Sequence, residues 1–220
     1  MKSRLFHLKE YTAIQERVRD LINSSPDFLS SNTAQSPRAA GDAIENIIAA
    51  SFDQILGEHC GEYSSNFARR AMADLAFTDR DGLYYIVDVK THRTDTRFNM
   101  PNLTSVERLA RFYEDDTNFF TVLLVKYAVE GMRAKVSEVT FVPIEFLGWD
   151  CLTIGALGWG QIQIANSNFV SVNPDFSRKQ WMLDFCDVML EFYPKEIAKI
   201  GERVSRFEAV REFWLRKLGD

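Results

Sequence analysis

A polar turn between two apolar runs constrains this chain more than any other stretch. Thr78-Asp79-Arg80-Asp81-Gly82 separates Arg70–Thr78 from Leu83–Thr91, and both flanks are rich in apolar and β-branched residues. An Asp-Gly step between such runs signals a β-hairpin. Side chains alternate faces along a strand, so Asp88 and Lys90 project from one face and Val87 and Val89 from the other. Asp74 falls on the partner strand, within approach of Asp88. The hairpin therefore places two carboxylates and one ammonium at one end of a small sheet.

That group suits phosphodiester hydrolysis, which needs a hard cation on the phosphate oxygens and an activated water opposite the leaving group. Mg²⁺ is held by one or two carboxylates, substrate phosphate and water, with Mn²⁺ as a substitute. A lysine beside it binds the water or the phosphate and stabilises developing charge. Spacing alone is weak evidence: Asp followed 10 to 20 residues later by Asp/Glu-x-Lys arises roughly once by chance in a chain of this length. Context adds to it. Asp88 ends the run Leu83–Val87 and Asp74 interrupts another, and a carboxylate there is costly unless paired or metal-bound. The alternative is a pair of solvated strand-end charges.

Upstream, Lys2–Asn23 has helical spacing of apolar residues, and the Ser/Asn/Pro-rich residues 24–37 read as a loop. Ser36-Pro37 has the form of an N-cap with proline at the first helical position, opening a helix to about Gly57. Glu45 falls within the apolar arc of that helix, between Phe52 and Leu56. It is either a further acid of the metal shell or a capping-box glutamate with Asp42 as the cap.

Downstream, the polar stretch 91–102 follows the candidate catalytic strand and is the best candidate for contacting DNA. Its Thr91, His92, Arg93, Arg97, Asn99 and Asn102 offer phosphate-holding and base-reading groups; the alternative is a solvated loop with Phe98 packed inward. A helix is expected from Thr104 to about Glu114, then strands at Phe119–Val129 and Glu138–Val142, and a short helix or turn at Pro143–Leu147. The Gly-rich Trp149–Trp159 is weakly patterned, and Gln161–Ile164 alternates like a strand. Ser177 and Gln180 form a capping box for a helix over Lys179–Phe192 that Pro194 ends. A last helix, Lys195–Leu218, carries a stripe of Ile197, Ile200, Val204, Phe207, Trp214 and Leu218, broken by Arg211. The stripe is expected to pack on the helix's own core, with a dimer or DNA-backbone role as the alternative.

The 220 residues suffice for one sizeable core and show no composition shift that requires two domains. The apolar runs fall short of a membrane span, and the first ten residues lack a signal-peptide core. Three widely spaced cysteines form no zinc pattern, which implies a reduced, cytoplasmic setting. The net charge of −5 speaks against a protein that coats nucleic acid non-specifically, but not against a local basic cleft.

Asp74…Asp88-Val89-Lys90 resembles the catalytic motif of the PD-(D/E)xK nucleases, with Ala73 in place of the proline. Asp88-Val89-Lys90-Thr91, Phe98, Pro101-Asn102, Ser105 and Leu109-Ala110 are similar to the type II restriction endonucleases of the EcoRV/HincII group, its HincII branch most of all. So are Ile154–Ile164 and Ser177–Trp181, so the resemblance spans roughly residues 40–215.

The resemblance implies an α/β fold: a restriction-endonuclease-like mixed sheet with the catalytic hairpin at one side, flanked by helices. It implies Mg²⁺ on Asp74, Asp88 and the Val89 carbonyl, Lys90 at the attacking water and Glu45 as a supporting acid. Residues 91–102 would enter the minor groove, with Asn99 at an intercalating position and Phe98 as a wedge beside it. Gly155–Gly160, with Gly155, Ala156, Leu157 and Gly158 in it, would be a major-groove recognition loop, and Gln161 would begin the strand that leaves it. The implied activity is blunt, 5′-phosphate-leaving cleavage of double-stranded DNA at a short palindromic site by a homodimer, alongside a cognate DNA methyltransferase. The alternatives are a repair or junction-resolving nuclease on the same scaffold and a non-catalytic DNA-binding protein.

Overall fold

The computed structural model of this protein describes residues 3–64, 74–96 and 99–217. The chain divides into two units, Met1–Phe176 and Ser177–Asp220.

The first unit is built on a mixed five-stranded sheet in the order β1-β2-β3-β5-β6. Its strands are β1 (Glu62–Ser64), β2 (Leu75–Thr78), β3 (Tyr84–Arg93), β5 (Asn118–Glu130) and β6 (Arg133–Pro143). The hairpin forms as expected. β2 and β3 pair antiparallel, with Leu75 opposite Val87 and Thr78 opposite Tyr84. Asp79 builds the turn: its Oδ1 accepts from the amides of Asp81 and Leu83, and Gly82 takes the positive φ of 77°. β3 then runs parallel to β5, whose apolar run is buried as a central strand should be. Arg70–Ala73, expected in the first strand, lie outside the described residues.

A second, three-stranded sheet has the order β4-β8-β7, from Asn102–Ser105 (β4), Leu152–Gly155 (β7) and Gln161–Ile164 (β8). Its β4 and β7 depart from the sequence reading. Thr104 and Ser105 are strand rather than helix, and the helix here, α5, begins at Val106 and ends at Phe112. The weakly patterned Gly-rich stretch contains β7. Both strands are four residues long, too short for alternation to show before a partner is known.

Helices α1 (Arg4–His7), α2 (Tyr11–Ser24), α3 (Ser31–Gln35) and α4 (Pro37–Leu56) precede the sheet. The expected single N-terminal helix is broken at Lys9, which has φ 59°. Within the expected loop, Ser30 caps α3 through the Thr33 amide. α4 starts and stops where its signals lie: Ser36 accepts from the Ala39 amide, Pro37 is first, and Gly57 ends it at φ 58°. β6 is an edge strand, and α2 covers it with amide side chains. Asn23 exchanges hydrogen bonds with the Val136 backbone, and Gln15 accepts from the Phe141 amide. Aromatic rings from several elements fill the core: Phe77 stacks on Tyr85, Phe52 meets Phe77 and Phe141 edge-on, and Phe6 meets Phe141.

The second unit is one helix, α6 (Arg178–Leu215), where two were expected. Ser177 caps it through the Gln180 amide at 3.1 Å, and the helix continues through Pro194. A proline removes one hydrogen bond and crowds the preceding turn; in a helix of about 57 Å that is a local defect. The stripe from Ile197 to Trp214 is exposed, which overturns the expectation that it packs on the helix's own core. Leu218 lies outside the described residues. No described helix is long and apolar enough to cross a membrane.

Candidate active site

The site is set by where β2 begins. One residue before it, the Asp74 amide donates to the Val87 carbonyl at 3.1 Å. The Asp74 carboxylate then accepts from the Val89 amide through Oδ2 at 2.7 Å. A side-chain oxygen thus stands on the edge of β3 beyond the end of β2, held by the strand's own backbone.

Alternation along β3 puts Asp88 and Lys90 on one face, as the sequence predicts. Lys90 Nζ donates to Asp88 Oδ1 at 2.7 Å and reaches the Val89 carbonyl at 3.4 Å. Asp88 is 4% exposed, and its second oxygen, Oδ2, is buried with no hydrogen-bond partner among the described residues. Leaving such an atom unsatisfied costs about 1–3 kcal/mol, so a carboxylate is kept here at the expense of stability.

Burial pushes the Asp88 carboxyl up to about 8, with Asp74 and Glu45 adding to the rise and Lys90 opposing it. For Lys90 burial acts downward, but Asp88, Asp74 and Glu45 together hold the ammonium above its ordinary value. Glu45 on α4 is therefore close enough to act electrostatically on both groups. Its capping-box alternative fails, because Ser36 caps α4 six residues ahead of Asp42. Among the described residues, three carboxyls thus act on one another's charge around a single ammonium.

Among the described residues no three His, Cys, Asp or Glu side chains already converge as a ligand set; Asp74 is turned to the Val89 amide and Asp88 to Lys90. The donors nonetheless fit a hard divalent cation. Asp74, the orphaned Asp88 oxygen and the adjacent Val89 carbonyl are all oxygens, and Mg²⁺ needs only one or two carboxylates beside substrate and water.

The expected DNA-contacting residues separate into three groups. Thr91, His92 and Arg93 belong to β3 and are engaged inside the protein. Thr91 is half-buried, and a Cβ added at Gly41 of α4 would meet its Oγ1 at 2.4 Å. His92 is 1% exposed, hydrogen-bonded to the side chains of Ser167 and Asn168, each at 2.8 Å. This differs from the expectation of a solvent-facing contact: alternation sends its ring inward, to tie the 166–168 turn to β3. Arg93 pairs with Asp95 and donates to the Ala34 carbonyl at 2.7 Å. Arg97 and Phe98 lie outside the described residues.

The third group lies on the second sheet, which joins the two sequence-distant segments expected at DNA. Asn102 sits opposite Gln163 in the β4–β8 pairing, and its Oδ1 accepts from Gln163 Nε2 at 2.5 Å. The Asn99 carbonyl accepts from the Ser167 amide at 3.1 Å. Gly155 pairs with Gln161 at the end of β7, and residues 156–159 form the exposed tip between β7 and β8. Gly158 and Gly160 have φ 59° and 115°, which shape the turn. Trp159 projects from this tip, 67% exposed, beside Leu157. Gln163, within the segment that carries the resemblance, and Trp159, within the expected loop, join the candidate contacts by their positions here. The Gln-Ile-Gln-Ile alternation and a tryptophan between two glycines were the available signals.

No family model matches this chain, and no curated protein matches it.

Proposed function

We propose that this protein is a Mg²⁺-dependent endonuclease of the restriction-endonuclease-like fold, cutting double-stranded DNA at a short palindromic site. It would act in the cytoplasm as a homodimer, one site per strand, leave blunt 5′-phosphate ends, and operate beside a methyltransferase that protects the same sequence. The observation that carries the reading is the buried, unpartnered oxygen of Asp88 in a cluster of three carboxyls and one lysine. A structural ion pair is stable when both of its oxygens are satisfied; here one Asp88 oxygen is left open.

A divalent ion held by Asp74, Asp88 and the Val89 carbonyl would supply positive charge to the scissile phosphate and lower the pKa of a water at that position. Asp74 is pre-set for this by its bond to the Val89 amide, which fixes one of its oxygens. Lys90 would move from Asp88 to the attacking water or the phosphate once the cation takes over its neutralising role. Glu45 would orient water from the α4 side. Asn102, Gln163 and the 156–159 tip would form one reading surface, because β4 and β8 are paired.

The test is plasmid cleavage with and without Mg²⁺, beside thermal melting with Mg²⁺. Wild-type protein should nick and linearise duplex DNA and melt higher with the ion. Asp88→Asn should lose both effects while remaining folded. A metal-independent Tm together with intact plasmid would overturn the reading.

A further inference from the structure

The apolar stripe on α6 keeps a strict heptad repeat. With Leu190, Ile197 and Val204 at position a and Tyr193, Ile200 and Phe207 at d, the spacing alternates between three and four residues without interruption. The register extends back to Leu183 and Cys186 and forward through Arg211 to Trp214. These positions face solvent: Leu190 is 72% exposed, Ile197 69%, Phe207 72% and Trp214 60%. A heptad stripe sustained this long marks a coiled-coil seam, and a soluble chain rarely leaves so much contiguous apolar surface uncovered.

We propose that this stripe is covered by the same stripe of a second copy of the chain, as a parallel, in-register, two-stranded coiled coil. Charge complementarity favours that occupant. Arg203 falls at g and Glu208 at the following e, so the parallel dimer sets Arg203 of each helix against Glu208 of its partner, twice by symmetry. At the next such pair, Val210 meets Leu215 and extends the apolar contact. Arg211, also at a, fits a dimer because its stem can lie along the seam while the guanidinium reaches water; a trimer would enclose it. Stripe residues of roughly 100 Å² each give an interface on the order of 1,000–2,000 Å², the range of stable complexes.

The proposal goes beyond the nuclease reading and does not rest on it, since assembly is read without DNA. Light scattering on the full-length chain at tens of micromolar should give twice the chain mass. Val204→Glu with Phe207→Glu should halve it, with unchanged helix content because both side chains are already in solvent. Ala198→Glu, off the seam, should leave the dimer intact. Orientation is read through Cys186, an exposed thiol at d. Copper-phenanthroline oxidation in air should give a disulfide-linked dimer on a non-reducing gel, and Cys186→Ser should abolish it. A monomeric wild type, a trimer, or a dimer indifferent to the double substitution would overturn the proposal. So would a dimer lost on that substitution that does not cross-link through Cys186, since its helices would run antiparallel.

Discussion

The β3 cluster and the α6 stripe break the ordinary rule of burial in opposite directions. At β3 a carboxylate is buried and one of its oxygens has no partner. On α6 a row of large apolar side chains lies in water. A buried polar atom and an exposed apolar row are the informative departures from hydrophobic-in, polar-out. Their chemistry differs: the first leaves a polar oxygen open, the second an apolar surface. On the readings proposed above, a cation completes the first and a second copy of the chain completes the second. Local rules fail where function requires it, and the kind of failure indicates what is missing.

The largest expected effect concerns the β3 cluster. Lys90→Ala should lower cleavage by about 10²-fold or more, with folding retained, because removing a cation beside three acids mainly raises the proton affinity of Asp88. Single-turnover cleavage and melting curves check this. A loss of fold in place of activity would make the cluster structural and erase the contrast with α6.

A pH profile sharpens the same point. The Asp88 proton must leave before a divalent ion binds. Its carboxyl holds that proton up to about 8, so Mg²⁺ affinity should climb by up to about tenfold per pH unit between 6 and 8 and then level off. The stability linkage has the matching sign. A folded pKa raised from roughly 4 stabilises fully below the unfolded value, and that contribution is lost as pH rises toward 8. Metal-free protein should melt lower at pH 8 than at pH 5, and Mg²⁺ should restore more at pH 8.

Smaller effects separate packing residues from contacts. His92→Ala removes the ring that Ser167 Oγ and Asn168 Oδ1 bond to and should cost about 2–3 kcal/mol of stability, with no change in the salt dependence of DNA binding; a shallower salt slope would make His92 a DNA contact after all. Gly41→Ala puts a methyl group 2.4 Å from Thr91 Oγ1 and should cost about 1–3 kcal/mol. A neutral result would mean that α4 and β3 adjust freely. Trp159→Ala, at the exposed tip, should leave stability within about 0.5 kcal/mol of wild type and weaken duplex binding.

The hairpin, α4 and β5 were legible in the sequence because each carries a local signal: an Asp-Gly turn, a Ser-Pro start with a glycine stop, and a long apolar run. Asp74, Asp88 and Lys90 came with the hairpin, since alternation fixes their faces. The Asp74 bond to the Val89 amide was not legible, because it depends on where β2 starts. Glu45 was half legible: its place on the arc was readable, its closeness to Asp88 was not. The second sheet was missed because β4 and β7 are stabilised by β8, across some sixty residues in one case. The inward turn of His92 was implied by the alternation that placed Asp88 and Lys90, but the partners that satisfy its ring come from residues 167 and 168. On α6 the spacing was read correctly and its environment was not, because periodicity shows that a face is apolar without showing what covers it.

The most direct test of the central claim is a digest of long phage DNA with Mg²⁺, wild type beside Lys90→Ala, with fragment ends sequenced. Discrete bands from the wild type, ends sharing one short palindrome, and intact DNA from the variant are the predicted result. A smear that the substitution abolishes would keep the active site but contradict sequence-specific cleavage. Intact DNA in both lanes, with Mn²⁺ as well as Mg²⁺, would contradict the nuclease reading itself.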